Sequence, residues 1–159
     1  MGVWFYQYCA APSPPSINDV LAWMRQRNQP ALISEENDIS DYIDFESQNW
    51  EQLELVDPEG NLLILAHLSL ANTENGVSDM DMLRQQAARL SDKAKCDQIL
   101  EHLNRTNFVV ATQLGLQTSY VDAQSAFRTY FIQEFDAMTY DDTLGDITLP
   151  EGTRINLGH

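Results

Sequence analysis

Six carboxylates crowd the twelve positions from Glu35 to Glu46: Glu35, Glu36, Asp38, Asp41, Asp44 and Glu46, with Ile39, Tyr42, Ile43 and Phe45 between them. Their mutual repulsion is tolerable when they are solvated, when they hold a cation or when they meet a basic surface. A calcium loop wants closely spaced oxygen ligands around a glycine turn, and this segment has no glycine. Two readings stand. In one, Ile39 and Ile43 pin a solvated rim to the core. In the other, the stretch is a docking surface for a basic protein partner: Glu35, Glu36, Asp38, Asp41, Asp44 and Glu46 steer it in, and Tyr42 and Phe45 are the aromatic anchors that binding hot spots favour. A second acidic group, Asp136, Asp141, Asp142 and Asp146 around Gly145, has the better claim to a divalent cation, although its spacing matches no loop motif.

Other chemistry leaves little trace. Nucleophilic catalysis needs a Ser, Cys or Thr beside an oriented base, and the only histidines are His67, His102 and His159. No GxSxG, Walker A or GxGxxG run occurs, and zinc-ligand spacing is missing. No cofactor is expected, and the balance leans away from an enzyme. A carboxylate pair brought together by the fold stays open, because such pairs need closeness in space only. His67 lies in an apolar run and reads as a neutral, hydrogen-bonded core residue. An alternative function, a small-molecule-binding domain or hydrolytic enzyme, would use a pocket lined by Trp4, Tyr6, Tyr8 and His67.

The chain has 159 residues and a net charge of −15, with only Lys93 and Lys95 as lysines. That charge disfavours DNA, RNA and anionic lipid, where each phosphate contact needs a cation. It equally fits plain solubility or adaptation to salt. Cys9 and Cys96 are too few for a disulfide framework or a metal site and read as reduced, buried thiols. Met1 to Tyr8 lacks the basic region and apolar core of a signal peptide, and no apolar run approaches a membrane span, so a cytoplasmic protein is expected.

One core, hence a single domain over 1–159, is the expectation at this length. Val3 to Tyr8 reads as a central strand with Val3, Phe5 and Gln7 on one face and Trp4, Tyr6 and Tyr8 on the other. Ser16 with Asp19 caps a helix to about Arg27, ended by Pro30, and Ala31 to Ser34 is a short strand. Trp50 to Val56 and Leu62 to Leu70 form a hairpin across Asp57, Pro58, Glu59 and Gly60. Asn72 to Gly76 is a polar loop before a helix opened by Ser78 and Asp81. The apolar stripe of that helix, Leu83, Ala87, Leu90 and Ala94, gives way to the opposite set Cys96, Ile99, Leu100 and Leu103. A joint is therefore expected at Leu90 to Asp92, with Ser91 and Asp92 as a fresh cap. Phe108 to Leu114 is a buried strand. Thr118 or Ser119 with Asp122 caps a helix facing the core through Ala123, Phe127, Tyr130 and Phe131, and Ala137 to Tyr140 is a last sheet strand. Residues from about 147 to 159 make a small C-terminal hairpin around Pro150 to Gly152. The order predicts an α+β fold: a two-layer sandwich of a mostly antiparallel or mixed sheet with three to four helices on one face. A ferredoxin-like core with additions is one candidate.

Overall fold

The computed structural model describes residues 3–34, 45–48, 50–114 and 120–157. The elements run β1 (Val3–Cys9), α1 (Ile17–Gln26), β2 (Leu32–Ile33), β3 (Gln52–Val56), β4 (Leu62–Leu70), α2 (Glu74–Ala87), α3 (Lys93–Arg105), β5 (Phe108–Leu114), α4 (Val121–Phe135), β6 (Ala137–Asp141), β7 (Asp146–Thr148) and β8 (Arg154–Asn156). All eight strands join one sheet in the order β2-β3-β4-β5-β1-β6-β7-β8, and each neighbouring pair is antiparallel. Among the described residues the fold is α+β with four helices. β1 is central, as its two apolar faces require.

Those two faces also correct the expected layering. Directly paired residues share a face, so Cys9 lies with Phe108 and Ala137, and Tyr8 with Val109 and Met138. The Cys9 side packs under α1 and α4 through Val20, Met24, Ala123, Phe127 and Phe131. The Tyr8 side packs under α2 and α3 through Met80, Leu83, Ile99 and Leu103. Helices therefore cover both faces of the sheet, where the sequence reading put them on one. The strand order is not that of a ferredoxin-like core. The C-terminal hairpin is likewise no appendage: β7 pairs with β6, and Ile147 and Ile155 continue the Tyr8-side core, both essentially unexposed.

Under α1 and α4 the core is aromatic. Trp23 stacks on Tyr130 at 4.7 Å, and Phe127, Phe131 and Phe135 meet at centroid distances of 5.1 to 5.6 Å around it. The Trp23 indole donates to the Ala126 carbonyl at 2.8 Å, so its polar edge is satisfied. Burial, then the nearby charges of Asp19 and Glu134, push the Tyr130 hydroxyl up to about 12.

Local signals placed most helix ends. Ser16 and Asp19 form the reciprocal capping box of α1. Asp57 accepts from the amides of Glu59 and Asn61, which closes the β3–β4 turn, and Gly60 takes φ +89° there. The joint between α2 and α3 falls where the stripe changes phase, but Asp92 is the cap, accepting from the Lys95 amide at 3.3 Å. α2 starts four residues before Ser78, with Thr73 as its cap, so Glu74 to Gly76 is helix where a loop was expected. The Thr73 hydroxyl donates to the Leu70 carbonyl at 2.6 Å, which folds the first helical turn back on the end of β4. A Cβ at Gly76 would collide with that same carbonyl. Glycine is there for close approach, and its weak helix propensity is outweighed. For α4 the first described position is Tyr120, which caps it without a side-chain bond; Gly115, Thr118 and Ser119 lie outside the described residues.

Gly76→Ala should therefore destabilise by about 1–3 kcal/mol, the range for overpacking a filled site. A melting curve unchanged from the parent would show that the α2–β4 approach is loose. Asp92→Ala should cost about 1 kcal/mol in denaturant unfolding while Ser91→Ala costs far less, since only the former removes a cap. The reverse order would return the cap to Ser91.

Candidate functional site: a partly exposed aromatic sheet face

The helix pair α2 and α3 does not extend over the whole Tyr8 side. Tyr8 itself is buried, its hydroxyl donating to the Asp79 carbonyl at 3.1 Å. Along the same strand Trp4 and Tyr6 are partly exposed, as are Leu65, His67 and Gln113, which the register places on this face across β5 and β4. Their rings form a row: Trp4 to Tyr6 at 6.4 Å, Tyr6 to the buried Tyr140 at 6.1 Å and Trp4 to His67 at 5.9 Å, with planes 27° to 34° apart. Of the four residues proposed from sequence to line a pocket, the structure brings Trp4, Tyr6 and His67 to one accessible surface and takes Tyr8 into the core.

His67 is thus a rim residue and not the buried histidine expected. That place belongs to His102 on α3, which is 3% exposed. Its Nε2 lies 2.7 Å from the Tyr8 carbonyl, and its Nδ1 lies 3.4 Å from an Arg105 guanidinium nitrogen. A carbonyl needs a donor and a guanidinium needs an acceptor, so the ring is neutral with its proton on Nε2. In sequence nothing separates the two; packing of α3 against β1 decides it.

The electrostatics of the face are one-sided. Burial first, then the carboxylates of Asp79 and Asp142, push the Tyr6 hydroxyl up. Burial also raises Asp79. Burial and then Asp142 raise Tyr140, whose hydroxyl donates to Asp142 at 3.4 Å. Glu54 stands on the same side of β3, opposite Leu65. No lysine or arginine is among the strand residues of this face. Beside it, between the start of β3, the end of β4 and the first turn of α2, opens a cleft of about 430 Å³ lined by Gln48, Gln52, His67, Ser69, Thr73 and Asn75, among others.

Compared with protein-family models, curated proteins and solved structures, the chain matches none.

The other candidates divide. Of the acidic stretch, Glu35, Glu36, Asp38, Asp41, Tyr42 and Asp44 lie outside the described residues. Phe45 is 36% exposed and borders a groove of about 710 Å³ with Leu32 and Leu62, rimmed by Asp57 and Glu59. Its carbonyl accepts from the Asn18 amide at 3.0 Å, and the Glu46 carboxylate accepts from the Asn18 side chain, so both are tied to the start of α1. The second acidic group does not converge. Asp136 pairs with Arg105 at 3.2 Å, Asp146 with Arg154 at 2.8 Å, and Asp141 accepts the amides of Thr143 and Leu144. Among the described residues no three His, Cys, Asp or Glu side chains are placed to hold a metal ion. Cys9 and Cys96 are both free; Cys9 is buried, Cys96 only half-buried. No helix among the described residues is long and apolar enough to cross a membrane.

Burial, the largest influence, holds the His102 imidazole below its ordinary value near 6.5 despite the bond to Tyr8. The folded ring binds its proton less readily than the unfolded one, so unfolding takes up a proton between the two values. The stabilisation is complete above about pH 6.5 and falls as pH drops through the folded value. The melting temperature of the protein should decline faster below pH 6.5 than that of His102→Gln. Parallel curves would mean that the ring titrates alike in both states.

Proposed function

We propose that this protein is a noncatalytic binding module whose partner is a basic protein, engaged through the Trp4–Tyr6 face. The carrying observation is the pairing of partly exposed aromatic rings with carboxylates in a surface whose strands offer no cation. Ring faces attract cations, and the attraction grows where water is partly excluded. The net charge of −15 draws a basic partner in over a distance, and the six acids between Glu35 and Glu46 add to that steering. Solubility explains the charge but does not require partly exposed rings beside it.

A second reading has one observation in its favour. The cleft at His67 has a volume within the range of small-ligand sites and presents His67 and Ser69 together. A small-molecule-binding or hydrolytic role would follow if turnover of simple esters or amides depended on His67 and vanished in His67→Ala.

Titration with a peptide rich in lysine and arginine should change the emission of Trp4, and the affinity should weaken with added salt. Trp4→Ala and Tyr6→Ala should each weaken binding about fivefold or more, as truncation of an aromatic anchor does, without lowering the melting temperature comparably. An acidic peptide of equal length should not bind. If basic and acidic peptides behave alike at low salt, the module has a different partner.

A further inference from the structure

The side chain that this face fits follows from the angles between its rings. A compact ammonium is best held by rings on several sides, whereas a planar guanidinium lies flat on a ring and keeps its edge donors free. Here the successive planes of Trp4, Tyr6 and Tyr140 differ by only 27° and 28°, and that of His67 differs from Trp4 by 34°. Near-parallel planes suit a flat group and do not enclose a compact one. In the register the small residue Ala111 lies between Tyr6 and His67. Tyr140, next in the row, donates to Asp142 at 3.4 Å, and Asp79 and Asp142 both act on the Tyr6 hydroxyl, so carboxylate acceptors stand beside these rings. The chain packs its own arginines in this manner elsewhere: Arg27 lies 3.2 Å above the Trp23 ring and Arg128 4.3 Å above Phe5.

The adjoining cleft is lined by polar groups. Its amides, Gln48, Gln52 and Asn75, and the Ser69 hydroxyl can each donate and accept, while Thr73 already donates to the Leu70 carbonyl. Peptide groups need both. A purely cationic small molecule would leave most of them unused, while an extended main chain would not.

Resting on the basic-partner reading, we propose that the face recognises arginine in an extended segment, with the guanidinium stacked on Trp4 and Tyr6 and the flanking main chain in the His67 cleft. Three short peptides with identical Gly and Ser flanks and a central Arg, Lys or citrulline separate the possibilities. Trp23 lies in the core on the other side of the sheet, but Trp50 lines the cleft, so binding at the face is read from the Trp4 indole N–H shift, assigned by its loss in Trp4→Leu. The arginine peptide should bind about threefold to tenfold more tightly than the lysine peptide, and citrulline, planar but neutral, should lose at least as much. Trp4→Leu should abolish the preference while Gln52→Ala and Asn75→Ala weaken all three peptides alike. Equal binding of Arg and Lys peptides would overturn the arginine assignment and leave the basic partner standing. Equal binding of citrulline would overturn it as well, since charge would then be irrelevant. Should no peptide perturb Trp4, both readings fall.

Discussion

A strand that is apolar on both sides is stable in water only when both sides are covered, and β1 imposes that demand on the rest of the molecule. Cys9 and Tyr8 point opposite ways and are both fully buried. One needs α1 and α4, the other α2 and α3, and the eight-stranded sheet becomes the middle layer of three. The same strand explains where coverage stops. Packing of α2 and α3 reaches Tyr8, Tyr140 and the β7–β8 extension but leaves Trp4 and Tyr6 partly in solvent. The proposed binding surface is thus the part of a core-forming strand that α2 and α3 do not reach.

Much of the fold was legible because its signals are local. The Ser16–Asp19 box, the turn at Asp57 to Gly60 and the phase change near Leu90 depend on residues a few positions apart. The start of α2 was hidden because Gly76 and Asn75 are loop residues by composition, and only contact with the end of β4 makes a glycine the right choice within a helix. The layering was missed for a different reason. β1 was already seen to be apolar on both faces, yet helix periodicity says which residues of a helix are buried and nothing about which side of a sheet receives them. The C-terminal strands join the main sheet through pairing with β6, again a relation between distant residues.

Site residues divide along the same line. Trp4, Tyr6 and His67 were candidates from type alone, and their assembly needed the register across β1, β5 and β4. Tyr8, one step further along the same face, went to the core because α2 covers it. The acids from Asp136 to Asp146 attracted attention by density, but Arg105, Arg154 and loop amides take up three of them separately. Density of charge in sequence is no measure of convergence in space.

The strand order holds one more consequence. β5 and β6 are both antiparallel to β1 and are not bonded to each other, so they run parallel with one strand between them. Strand spacing is about 4.8 Å, which leaves these two about 10 Å apart if the intervening strand is withdrawn. Remove β1 and the sheet is not trimmed at an edge but parted along its middle, into a β2–β5 half and a β6–β8 half linked through α4. The aromatic strand is a mechanical seam, and any pull that shears it must break two ladders at once.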